Sequence, residues 1–351
     1  MAYSTIPKGS LYMNTSLYTG NNTARSITGV GFQPDLTWLK SRTQTYNHIL
    51  TDGVRGVTKY VSSNTSTAET TDTATLTAFN SDGFSLGTSN LINQTSQNHV
   101  AWNWKANGQG SSNTDGSINT TYTSANTTAG FSIIKYTGNA TDNASVGHGL
   151  GTAPKMLIIK ELTSTSNWGV WHQGLTNGGY RLSLQETTAQ VSDTAFIGGG
   201  NRAIPTNSVF YLGSGGGGNS SSDNYIAYAF SEIKGFSKMG SYTGNNNADG
   251  SFIYTGFSPA FIMVKKTSGT GGWQLRDNKR TPTGNEIKNL LYANATSTEQ
   301  TTDGFDFLSN GFKWRNQASD DNGTGDYIYM AFASNPFVAT SGSDAIPVTA
   351  R

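Results

Sequence analysis

An all-β fold of three tandem antiparallel β-sandwich modules is what the sequence predicts. Three observations predict it: a set of anchor segments that recurs three times in one order, a two-residue apolar alternation inside those anchors, and turn residues at short spacing between them.

The first anchor is Tyr-Thr-Gly followed by Asn, at Tyr18, Tyr136 and Tyr242. The second is an apolar strand opened by proline, at residues 34–40 (PDLTWLK), 154–160 (PKMLIIK) and 259–265 (PAFIMVK), with lysine six places after proline each time. Proline at a strand start removes no ladder bond. Apolar residues on both faces mark these as buried strands. The third anchor closes each module at residues 99–104 (HVAWNW), 225–230 (YIAYAF) and 327–332 (YIYMAF). There Val100, Trp102 and Trp104 share one face, as do Ile226, Tyr228 and Phe230, and Ile328, Met330 and Phe332. The opposite face is mainly small, with Ala101, Asn103, Ala227, Ala229 and Ala331. Bulk on one side and small residues on the other predict a central strand with its bulk in the core and a close neighbour or groove behind. Ser-Asp-Gly at 81–83, Asn-Gly-Gly at 177–179 and Asn-Gly at 310–311 supply turns. Residues 285–292 fit either a short helix or a strand.

The organisation expected is an N-terminal arm at 1–15, modules at 16–110, 111–235 and 236–337, and a C-terminal tail at 338–351. Residues 107–113 (NGQGSSN) read as a linker, and 232–236 (EIKGF) as a short rigid joint. Modules two and three are therefore expected to form a pair. The first is expected to be placed separately, with its arm serving attachment.

Composition bounds the function. Of 351 residues only 13% are charged, and the net charge is +1. Nucleic acid and acidic membranes attract a basic field, so neither is an expected partner. The absence of cysteine excludes disulfides and thiolate metal sites. No apolar run approaches a membrane span. The N-terminus lacks a basic start followed by an apolar stretch, so no secretory signal is expected.

Chemistry is sparse. His48, His99, His148 and His172 have no partner at metal-ligand spacing. No nucleophile elbow or phosphate-binding loop occurs. Carboxylates lie mainly in turns, so the chain is not expected to be an enzyme and no cofactor is expected. Asp320, Asp321 and Asp326 sit among glycines at 320–326 (DDNGTGD). That run fits a calcium loop or a polar hairpin tip. Trp168, Trp171 and Trp273 follow the proline-led strands of modules two and three, where module one holds Tyr46 and His48. They are candidates for stacking on a sugar ring, or for core or inter-module packing. Lys40, Lys160 and Lys265 are expected to snorkel, with a shared ligand contact as the alternative.

Residues 26–35 (SITGVGFQPD), 54–60 (VRGVTKY), 79–84 (FNSDGF), 147–155 (GHGLGTAPK), 240–244 (GSYTG), 327–332 and the closing 346–351 (IPVTAR) carry a resemblance over nearly the whole chain. It resembles a repeat of tailed bacteriophages, especially marine ones, found in virion surface components: tail fibres, head fibres and decorations. The resemblance implies concanavalin-like jelly-roll modules and a non-enzymatic structural role on the capsid or tail. It also implies partners among other virion proteins, homo-oligomers in the particle, synthesis in the host cytoplasm and residence on the virion surface. A dedicated carbohydrate-binding tail-fibre adhesin that recognises host glycan is the alternative. No heptad shaft is evident.

Overall fold

The computed structural model describes residues 4–335, apart from 216 and 282–284. The fold is essentially all-β, with a nearly closed eight-stranded sheet and several smaller antiparallel sheets. Among the described residues helix is confined to one turn at Asn90–Asn93 and a 3-10 turn at Gly9–Leu11. The expected tail at 338–351 lies outside the described residues.

Each third of the chain contributes the same four strands in the same order. In the first repeat the opening strand, Met13–Thr19, pairs with the closing strand, Asn98–Trp104. The closing strand pairs with the proline-led strand, Leu36–Ser41, and that with a third strand, Ile49–Asp52. In the second repeat the corresponding strands are Phe131–Thr137, Asn224–Phe230, Met156–Glu161 and Gly169–His172. In the third they are Ser237–Gly244, Gly325–Ala333, Pro259–Lys266 and Gln274–Asp277. The third repeat continues through Ile287–Tyr292, Gln300–Leu308, Gly311–Trp314 and Phe252–Tyr254, giving the eight-stranded sheet. The ambiguous segment near residue 290 is thus a strand.

The pleat decides where the bulk goes. Trp102, Trp104, Tyr228, Phe230, Met330 and Phe332 all face one central core shared by the three repeats. The rings of Trp104, Phe230 and Phe332 occupy equivalent positions and meet there, with centroids 6.1–6.5 Å apart. Phe261 packs edge-on against Trp104 at 5.6 Å. The small face turns to the repeat's own second layer. Ala101 joins Ile27, Phe84 and Leu86 in the first repeat, and Ala331 joins Ile253, Phe305 and Phe312 in the third.

The first repeat does not stand apart. Its closing strand must bury two tryptophans, and the neighbouring repeats supply the cover. The segment read as a linker is tied down as well: Ala106 N–H and Gly108 N–H donate to the two oxygens of Asp35, and Asn107 N–H to Ser124 Oγ. The described part of the N-terminal arm lies on the third repeat, where Ser10 N–H donates to Ser334 O at 2.8 Å and Ile6 is fully buried.

Truncating Trp104 to alanine removes one ring of the central triangle. The expected loss is about 3–5 kcal/mol, typical of a buried aromatic. Because the ring serves all three repeats, urea denaturation should show one shifted transition rather than the loss of a single repeat.

Candidate functional site

The repeats meet at three equivalent joints, and most of the singled-out residues lie there. Trp168 of the second repeat is fully buried and donates its indole N–H to Ser62 O of the first at 3.0 Å. Trp273 of the third donates to Ser183 O of the second at 2.9 Å. His48 stands in the same place in the first repeat and donates Nε2–H to Tyr292 O of the third at 3.0 Å. Beside each, a backbone N–H crosses: Glu69 to Leu162 O, Gln190 to Thr267 O, and Glu299 to Arg42 O. Trp171 is buried against the second repeat's proline-led strand, opposite Leu157. Trp168, Trp171 and Trp273 therefore offer no face to a sugar. Their large apolar rings are worth more between repeats than in water.

A second contact completes each joint. Asp52 and Arg55 form a fully buried ion pair at 2.6 Å, and Tyr228 of the second repeat donates its hydroxyl to Asp52 Oδ2 at 2.8 Å. Asp277 and Arg280 repeat this at 2.6 Å, with the Trp102 indole N–H of the first repeat donating to Asp277 Oδ2 at 3.0 Å. At the remaining joint the position holds His172, whose Nε2–H donates to Tyr329 O of the third repeat at 3.2 Å.

The three lysines do not snorkel; all are fully buried. Each ammonium caps the carbonyl that follows it: Ser41 O, Glu161 O and Lys266 O. Lys40 and Lys265 also reach across joints, to Thr296 O and Thr187 O. Burial pulls all three amines down to about 8.

The acidic run does not assemble a cation site. Among the described residues no group of three or more His, Asp or Glu side chains could hold a metal. Asp326 lies exposed at the start of the closing strand and accepts from Thr243 Oγ1 at 2.9 Å. Asp321 is buried. Its Oδ2 accepts from Gln274 Nε2 and Asn316 Nδ2, with Arg276 Nη2 at 3.8 Å. The chain thus meets this carboxylate with a guanidinium and two amides.

Asp321 belongs instead to a polar cleft of about 420 Å³ in the third repeat, with Asp320, Ser319 and Tyr292 also on its wall. Arg276 anchors the floor. It donates to Gln274 Oε1, Ile287 O and Thr302 Oγ1, and its guanidinium lies over Phe305 and Trp314. Burial lowers its affinity for a proton to a pKa of about 10. Burial raises that of Asp321, and Arg276 opposes this. Asp321 Oδ1 accepts no hydrogen bond. A buried carboxylate oxygen without a donor is costly. The first and second repeats put Thr51 and Trp171 where the third has Arg276.

A family model for a domain of unknown function, DUF7483, matches residues 8–336. The chain belongs to the DUF7483 family. No curated protein and no solved structure matches it.

Two sets of repeated residues in this DUF7483 chain escape a reading by motif. Each Tyr of the Tyr-Thr-Gly anchor donates its hydroxyl to a distant carbonyl: Tyr18 to Ile92 O, Tyr136 to Gly218 O and Tyr242 to Asp321 O. Each also stacks on a closing-strand ring, His99, Tyr225 or Tyr327, at 5.0–5.2 Å. The next residue in each loop is a buried asparagine, Asn93, Asn219 or Asn322. Its Oδ1 accepts a backbone N–H from the turn after the anchor, at Asn21, Asn139 and Asn245. The signal was an asparagine five or six residues before the ring that opens each closing anchor, His99, Tyr225 or Tyr327, hidden in an asparagine-rich sequence.

Two outcomes follow for this DUF7483 protein. Removing the Asp52 carboxylate by Asp52→Ala strands the Arg55 charge inside the first joint, with only Glu69 at 3.3 Å to offset it. Denaturant titration should report a loss of about 3 kcal/mol or more. The lysines give a pH dependence. Their protons are held less tightly in the folded chain than in the unfolded one, so the buried charge costs stability below about pH 8. That cost falls as pH rises toward the ordinary lysine value of 10.5. Thermal midpoints should rise between about pH 8 and 10, and Lys160→Met should raise the midpoint at neutral pH and flatten the slope.

Proposed function

We propose that this protein is a non-enzymatic structural component of a bacteriophage virion surface, carried on the tail or the capsid. Its partners would be other virion proteins and further copies of itself. The observation that carries the reading is the resemblance of strings spread over nearly the whole chain, from residues 26–35 to 346–351. The architecture supports it. A chain without cysteine that works outside a cell must gain its stability from packing, and here three repeats share one core and lock across three joints. On this reading each repeat is a concanavalin-like jelly-roll sandwich, with the eight-stranded sheet of the third a more continuous version of the two layers in the first. Mass spectrometry of purified virions of the encoding phage should find the protein at structural copy number. Its absence from virions would overturn the proposal.

A second reading, a carbohydrate-binding adhesin, is favoured by one observation: Asp320, Asn316, Gln274 and Tyr292 together wall the cleft of the third repeat. A carboxylate, amides and the Tyr292 ring together suit a ligand that donates hydroxyl groups and presents one flat face. Glycan-array binding should appear with the wild-type chain and fall by about tenfold or more in Asp320→Ala, the effect of losing one charge-assisted hydrogen bond. Equal or no binding by both chains would remove the reading.

A further inference from the structure

We infer that mild acid loosens both joints of the third repeat and spares the joint between the first and second, because both close on a neutral histidine whose two ring nitrogens are already bonded.

The geometry fixes the tautomers. At the joint of the first and third repeats, Trp38 Nε1–H donates to His48 Nδ1 at 2.9 Å, while Nε2–H donates to Tyr292 O at 3.0 Å. At the joint of the second and third, Gly174 N–H donates to His172 Nδ1 at 2.9 Å, and Nε2–H donates to Tyr329 O at 3.2 Å. Each ring accepts with Nδ1 and donates with Nε2. A second proton can go only onto Nδ1, where it would point at an N–H that is already there. Taking up that proton breaks the bond that orients the ring against the third repeat. Both rings are fully buried, so water cannot repair the loss.

The remaining joint is built without histidine. Between the first and second repeats stand Trp168 and the Asp52–Tyr228 contact. The carboxylates do not create the asymmetry. Asp52, Arg55 and Glu69 at that joint match Asp277, Arg280 and Glu299 at the joint of the third and first, where Arg42 also pairs with Glu299. Burial pulls His48 down to about 3, with Lys40 and Arg280 adding to the effect and the backbone of Tyr292 and Ala295 opposing it. Burial alone pulls His172 down to about 4, against the Tyr329 carbonyl. Across that joint stand Lys265 and Glu232, the latter acting on the Tyr329 phenol. Proton affinity is lower docked than undocked. Docking is therefore at full strength above the ordinary histidine value of 6.5 and weakens as pH falls toward about 4.

The three joints contain their own reporters. The amides of Glu69, Gln190 and Glu299 occupy equivalent places, one at each joint. Hydrogen–deuterium exchange on the full chain, corrected for the intrinsic effect of pH, is compared at about pH 7.5 and pH 5. Gln190 and Glu299 should lose protection by about thirtyfold, the ratio set by ordinary and depressed histidines at pH 5, while Glu69 keeps its own. His99 and His148, buried inside the first and second repeats, act on those bodies and are followed through strand amides there. The double variant His48→Gln, His172→Gln supplies an amide oxygen and an amide N–H that do not titrate, and should keep all three reporters protected at pH 5. Loss of all three protections together in the wild type, or acid opening of the double variant like the wild type, would overturn the inference. Should the variant fail to fold, the wild-type comparison decides.

Discussion

Everything in this molecule hangs on three aromatic rings that no single repeat can bury. Trp104, Phe230 and Phe332 project from equivalent places on three closing strands and meet within 6.5 Å of one another. A four-stranded sheet with small residues on one face and large rings on the other can cover only the small face with its own second layer. The large face needs partners, and tandem copies supply them at high effective concentration. The joints then follow as the polar perimeter of that contact, closing off backbone carbonyls that would otherwise be buried without a donor.

The perimeter explains how the copies diverged without coming apart. In all three joints the acceptor is a backbone carbonyl, at Ser62, Ser183 and Tyr292, while the donor is tryptophan twice and histidine once. A main-chain acceptor does not depend on the side chain that carries it, so either donor can serve. The same holds for the lysines, whose partners are carbonyls throughout. Divergence had freer scope where a position faces the repeat's own interior. There Thr51, Trp171 and Arg276 occupy one place, and in the third repeat that place lines a polar cleft.

The strands were readable in the sequence because alternation and the proline-led apolar runs are local signals. The repeat was readable because its anchors survive as strings. What the rings face was not. The pattern in residues 99–104 states that Val100, Trp102 and Trp104 share a side, but a core within one module and a core between modules leave the same alternation. Nor does the sequence choose between sugar stacking and packing for Trp168 and Trp273: burial is a property of what packs on top, and a neighbouring repeat about a hundred residues away in sequence leaves no local trace. The asparagines Asn93, Asn219 and Asn322 were invisible because their work is done by burial, amid many exposed residues of the same type.

The joint between the first and third repeats carries a consequence for synthesis. Two of the three joints link consecutive repeats and can form as the chain grows. The third links the two ends of the tandem, through His48 and Tyr292, Trp102 and Asp277, and Ser10 and Ser334. Until the last closing strand emerges from the ribosome, Trp102 and Trp104 lack part of their cover, and a nascent chain displays a sticky indole face to its surroundings. Ring closure is thus a late, long-range event in the life of each molecule, and the rate at which translation ends sets how long that face stays open.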